Sequence, residues 1–326
     1  MGAQAQSPSP PARTPAGVSA PGVADRGLSD WLMRMHEASR KRAYIGTFVV
    51  SAGGSMSSAR IWHVCDGEQQ MERVETLTGA PRSTFRRNDQ VVTFFPETRV
   101  AVAERRETLG LFPNLLQSAD SAIARHYTLR PAGTDRVAGV EADVVELQPK
   151  DALRFGYRIW SERKSGLVVK LQTLAADSQV LEQAAFSELQ LDAPVSMARL
   201  SQLMGNTEGW QVERPGLVRT TAAAAGWALR TPVPGFEPTG CYLRPVTAGP
   251  DGRREDTLQW LFSDGLATVS LFIEPLDPRR HGQPGAQALG ATQVLMRRVA
   301  DSWLTAVGEV PQATLAAFAQ ALERRR

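Results

Sequence analysis

The sequence predicts a mainly β protein of the α+β class, built from two successive units. Three observations predict it. Between Tyr44 and Leu191, about eleven short segments rich in β-branched and aromatic residues alternate with turn residues. That rhythm breaks at "LDAPVSMARLSQLMGNTEG", residues 191–209, and then resumes. The chain is 326 residues long, more than one compact domain usually holds. Even spacing of the first strands favours a barrel or sandwich over a parallel α/β sheet. A helix packed on an antiparallel sheet is expected for the second unit.

The elements follow in order. Residues 1–26 are dominated by Pro, Ala, Ser and Gly and should be disordered. They contain no charged segment followed by an apolar run, so no signal peptide is visible. "AQAQ" would suit a mature N-terminus left after export, with Met1 and Gly2 as an addition. Ser29 is placed to cap a first helix carrying Trp31, Leu32, Met35 and Ala38. "YIGTFVVSA", "GGSMSS" and "ARIWHVC" read as a hairpin. "EQQMERVETL", "PRSTFRR", "QVVTFFP" and "TRVAVAER" continue the strands, as do "HYTLRP", "EADVVELQP", "LRFGYRIWSE", "GLVVKLQTL" and "QVLEQAAFSELQL". Residues 109–127 interrupt the series with apolar pairs, and should fold over one opening of the sheet. Met197, Leu200 and Met204 suit a short helix at the junction. Pro311, Leu315, Phe318 and Leu322 predict a closing helix. The expected division is 27–191 for the first domain, 192–214 for a linker and 215–326 for the second domain.

Composition narrows the chemistry. Hydrophobic residues make up 42% and charged residues 22%, with a net charge of +3. So small a charge does not argue for nucleic acid. No apolar run reaches the roughly 18 residues of a membrane span. The four histidines lie far apart, no C-x-x-C occurs, and neither a G-x-G-x-x-G after a strand nor a G-x-S-x-G is present. The sequence therefore implies no metal and no cofactor. Cys65 and Cys241 could form a disulfide or be two unrelated thiols. His63, between Trp62 and Val64, reads as a strand histidine bonded to a neighbour.

"WLFSDGLATVSLFIEP", residues 260–275, offers a serine beside an aspartate. Alternating Leu258, Trp260 and Phe262 lead in, and Ala267, Val269, Leu271 and Ile273 lead out. Alternation on both sides of Asp264-Gly265 is the signature of a hairpin, not of a nucleophile with its helper. The protein is thus expected to work by binding.

The segments "YIGTFVV", "DRVAG", "RFGYRIW", "SDGLATVSLFIE" and "VGEVP", in that order over nearly the whole chain, resemble the RseB/MucB family of periplasmic regulators of the envelope-stress sigma factor sigma-E. The resemblance implies a first domain like the lipoprotein carriers LolA and LolB: an open, curved antiparallel half-barrel capped by helices. A smaller α/β domain, an antiparallel sheet with a terminal helix, would follow. It implies a periplasmic location and no enzymatic activity. The implied partners are the periplasmic domain of an anti-sigma factor of the RseA/MucA type, shielded from regulated proteolysis, and lipopolysaccharide or another acyl lipid that releases it. A homodimer is left open. Trp62, Phe94, Phe95, Leu111, Phe112, Leu115, Tyr157 and Trp160 are candidates to line an acyl groove. Arg86, Arg87, Arg105 and Arg106 are candidates for anionic groups, and Asp264, Gly265 and Leu266 for the partner contact. A lipid or lipoprotein carrier of the LolA kind is the alternative.

Overall fold

The computed structural model describes residues 27–67, 69–105, 112, 123–246 and 255–325. The first domain opens with α1 (Leu28–Lys41). It continues through β1 (Tyr44–Ala52), β2 (Ser55–Asp66), β3 (Gln69–Thr76), β4 (Ser83–Arg87), β5 (Gln90–Phe95) and β6 (Val100–Arg105). A single turn, α2 (Ile123–His126), precedes β7 (Tyr127–Val137), β8 (Val140–Pro149), β9 (Gly156–Glu162), β10 (Val168–Leu174) and β11 (Val180–Leu191). Then come α3 (Met197–Gly205) and β12 (Gln211–Glu213). One open sheet of 12 strands results, in the order β12-β6-β5-β4-β3-β2-β1-β11-β10-β9-β8-β7. Every neighbouring pair is antiparallel except β12 with β6. Ala138 (φ 47°) and Gly139 (φ 82°) form the tight β7–β8 turn, whose two left-handed residues match the twist of the strands.

Register sorts the side chains onto two faces, because direct cross-strand partners share a face. Tyr44, His63, Glu72, Arg86 and Val91 form one row across five strands. On that inner face Tyr44, Phe48, Ile61, Val74 and Phe186 pack together. Further along, α1 contributes Trp31, Leu32 and Met35 to a cluster with Tyr127, Val145, Leu147, Tyr157 and Ile159. The helix begins at Leu28 with Gly27 as its cap and no side-chain capping bond, so Ser29 is not the cap. The neighbouring row, Trp62, Arg73, Phe85 and Val92, points the other way. There α3 lays Leu200 and Met204 over Met71, Phe85, Phe94 and Ala101. The stretch expected to be a linker therefore covers one face of the first sheet and lengthens its edge. The Ser196 side chain accepts from the Arg199 amide and caps α3.

The second domain contains β13 (Val218–Arg219), β14 (Trp227–Leu229), β15 (Glu237–Val246), β16 (Glu255–Ser263), β17 (Thr268–Pro275), β18 (Gly285–Leu289), β19 (Thr292–Val299) and β20 (Ser302–Gly308). It closes with α4 (Gln312–Ala321) and β21 (Leu322–Arg324). Seven strands form a sheet in the order β13-β15-β16-β17-β20-β19-β18, and β14 pairs with β21. Leu315 and Phe318 of α4 are fully buried against Phe236, Phe262, Val269 and Leu271. The fold is thus mainly β, with two open sheets and a terminal helix on the smaller one. Among the described residues, no helix is long and apolar enough to cross a membrane. Both cysteines are free: Cys65 is half-buried and Cys241 buried.

Candidate functional site at the domain junction

The β16–β17 hairpin is built as its alternation predicts, with Ser263 opposite Thr268. Ser263 is used up by the turn. Its hydroxyl donates to the Ala267 carbonyl at 2.9 Å and accepts from the Gly265 amide at 3.0 Å. Asp264 Oδ1 accepts from the amides of Leu266 (2.9 Å) and Ala267 (2.8 Å). Its other oxygen reaches into the first domain. Oδ2 accepts from Arg154 Nε at 2.7 Å and from the Tyr127 hydroxyl at 3.2 Å, with both charged side chains 0% exposed.

Arg154 organises this junction. Besides Asp264 it donates to Asp151 at 2.5 Å and to the Pro234 carbonyl at 3.0 Å, and its guanidinium lies 4.7 Å from the centre of the Phe236 ring. A buried charge needs such complete pairing, since an uncompensated one is costly. Burial holds the Tyr127 and Tyr157 hydroxyls well above the usual phenol range, and keeps His126 below the usual imidazole range, with Arg154 adding to the latter. Gly235, at φ +76°, packs against Arg154 and His126, leaving no room for a Cβ. Thr314, in the first turn of α4, donates to the Leu153 carbonyl at 2.7 Å. A second contact sets Gly53 and Ala52 of the β1–β2 tip against Leu289 and Gly290 of the β18–β19 turn.

The candidate site residues fall in several places. Asp264, Gly265 and Leu266 serve the junction itself: a Cβ on Gly265 would come 2.9 Å from Ile123, and Leu266 packs on the α1 cluster. In this arrangement they face the chain's own first domain. The groove candidates do not share one face. Phe112 lies inside, 4.9 Å from the Phe186 ring, and Tyr157 is in the inner cluster. Phe95 alternates with Phe94, which together with Trp62 packs in the cluster under α3. Trp160 is buried in the cluster of Tyr44, Phe48 and Phe186 against which Phe112 packs, donates to Asp135 at 3.0 Å and carries Lys170 over its ring. Leu111, Leu115 and Arg106 lie outside the described residues. Arg86 is not offered to a ligand: it is 4% exposed and donates to Glu72 (2.9 Å), Gln70 (3.1 Å) and the Asn88 carbonyl (2.8 Å). Arg87 is exposed and donates to Gln69, and Arg105 is 3.5 Å from Asp89.

Arg154 and Tyr127 went unnoticed in the sequence, because nothing local marks a residue whose partner lies 110 positions away. Beside the junction a cavity of about 770 Å³ opens in the second domain, lined among others by Trp227, Val233, Phe236, Cys241, Trp260 and Phe262. Among the described residues, no group of three or more His, Cys, Asp or Glu could hold a metal ion.

Comparison with known proteins places this architecture. Residues 28–204 match the MucB/RseB N-terminal domain and residues 221–323 the MucB/RseB C-terminal domain. The sigma factor AlgU regulatory protein MucB of Pseudomonas aeruginosa is 32% identical, with 91% of each chain covered. The sigma-E factor regulatory protein RseB of Haemophilus influenzae is 23% identical, with 90% of each covered. Among solved structures, MucB in complex with MucA(peri) superposes with a TM-score of 0.69 at 29% identity, covering 92% of this chain and 100% of that one. The Pseudomonas aeruginosa MucA/MucB complex gives 0.68 at 27%, covering 91% and 99%. With both domains matched in order along nearly the whole length, the chain belongs to the MucB/RseB family.

Proposed function

We propose that this protein is a periplasmic regulator of a sigma-E-type stress response. It binds the periplasmic domain of an anti-sigma factor, shields it from regulated proteolysis, and lets go when an acyl lipid binds. One observation carries the reading: the likeness to MucB solved with MucA(peri) spans both domains, not the first sheet alone. A lipid carrier would need only one such domain. The protein acts by binding, and its Ser263 hydroxyl is committed to a turn.

The junction supports a switch. Lipid and anti-sigma factor prefer different arrangements of the two domains, so each weakens the other by the same factor. The test is calorimetric titration with the periplasmic segment of the cognate anti-sigma factor, with and without lipopolysaccharide. Saturable binding that lipopolysaccharide weakens is expected. Absence of binding to the segment, with acyl lipid still bound, would favour the carrier alternative.

A further inference from the structure

We propose that the second-domain cavity binds an anionic amphiphile, and that Arg154 transmits its occupancy to the first domain. The cavity, about 770 Å³, lies within the range of roughly 300–1,000 Å³ found for ligand sites. The rings of Trp227, Phe236, Trp260 and Phe262 back its wall, and Thr220, Thr221 and Thr239 add polar lining. The only thiol on that wall, Cys241, is held protonated by burial and adds no charge. Charge enters from exposed lining residues, where Arg219 and Arg325 outnumber Glu237. Neither arginine forms a side-chain ion pair among the described residues. An apolar body held between aromatic rings, with one carboxylate or phosphate at the arginines, matches this lining.

The link to the first domain is physical. Val233, Pro234, Gly235 and Phe236 form part of the cavity wall, and the same segment is gripped from across the junction. Arg154 donates to the Pro234 carbonyl, covers the Phe236 ring, and holds Asp264 of the hairpin. A ligand that displaces Phe236 therefore disturbs the guanidinium that, among the described residues, ties both second-domain segments to the first domain. This names the site of the lipid in the proposed function. It rests on that reading only for the consequence of binding, not for binding itself.

The experiment uses the full chain carrying C65S, so that Cys241 is its single thiol. Dodecanoate, dodecyl phosphate and dodecanol, each below its critical micelle concentration, are titrated by calorimetry. Alkylation of Cys241 by iodoacetamide is followed by mass spectrometry. Both anions should bind saturably and slow alkylation at least tenfold. The double variant R219E/R325E should weaken both anions at least tenfold and leave dodecanol unchanged. Preference for one anion distinguishes a carboxylate source from a phosphate source. R154K keeps the charge beside Asp264 but loses the planar fork. It should bind dodecanoate normally while abolishing the amphiphile's effect on anti-sigma-factor affinity. Amphiphile binding with unchanged Cys241 alkylation and a silent rim variant would overturn this site and leave lipid release standing. No binding by any amphiphile would overturn both. Normal coupling in R154K would overturn the transmission by Arg154.

Discussion

His63 has no exposed side-chain surface and stacks on Tyr44 with ring centres 5.0 Å apart. Its Nδ1 lies 2.6 Å from the Arg42 carbonyl, so a bonded strand histidine is what the structure shows. Burial pulls its pKa below the ordinary 6.5, and the opposing attraction of Glu72 does not overcome that. A histidine whose folded pKa is depressed stabilises the fold above its unfolded pKa, and that stability is lost as pH falls through the folded value. Urea unfolding should therefore show stability declining below about pH 6.5, by at most about 1.4 kcal/mol per pH unit for this group. H63Q should flatten the slope, leaving the share of His126, which is shifted the same way. At the junction, removing one partner of the buried Asp264–Arg154 pair strands the other. D264A and R154A should each cost about 3–5 kcal/mol. The double variant should cost clearly less than their sum, a coupling that a double-mutant cycle in urea would measure.

Elements were legible where the signal is local. The β16–β17 hairpin, the strands from Tyr44 to Leu191 and the α4 helix all announce themselves by period and turn residues. Face assignment was not legible. Trp62 and His63 are neighbours, yet one packs under α3 and the other lies in the inner row, and only the pairing register decides which. Aromatic character alone therefore could not assemble a groove from Trp62, Phe94 and Tyr157. Likewise, α3 reads as a junction helix in sequence, but its apolar residues find a sheet face. Leu200, 5% exposed, sits in a cluster with Met71, Phe85 and Phe94. L200A should destabilise the first domain by about 2–5 kcal/mol, read as a lowered urea midpoint. S196A, which removes the cap of the same helix, should cost about 1 kcal/mol. A tether with no packing role would show neither effect.

Across the whole molecule, the apolar clusters separate by domain. One cluster belongs to the second domain, with only Leu153 added from the first, and the other three are built from the first domain and its α3–β12 extension, with Leu266 of the hairpin packed on one of them. What joins them is mostly polar and narrow: the Arg154 site, the Thr314 bond to Leu153, and the contact of Gly53 with Leu289 and Gly290. Such a junction orders two bodies without merging their cores, as contacts between domains of one chain commonly do. It was invisible in the sequence because each contact joins residues more than a hundred positions apart. Removing its central pair should leave both cores standing and free their arrangement. R154A/D264A is therefore expected to unfold in two resolved calorimetric transitions where the unaltered chain unfolds in one. Its radius of gyration by small-angle scattering should rise, with little change in far-ultraviolet circular dichroism. If scattering and unfolding both stay as they were, the remaining contacts hold the domains by themselves, and the Arg154 site is not what sets their arrangement.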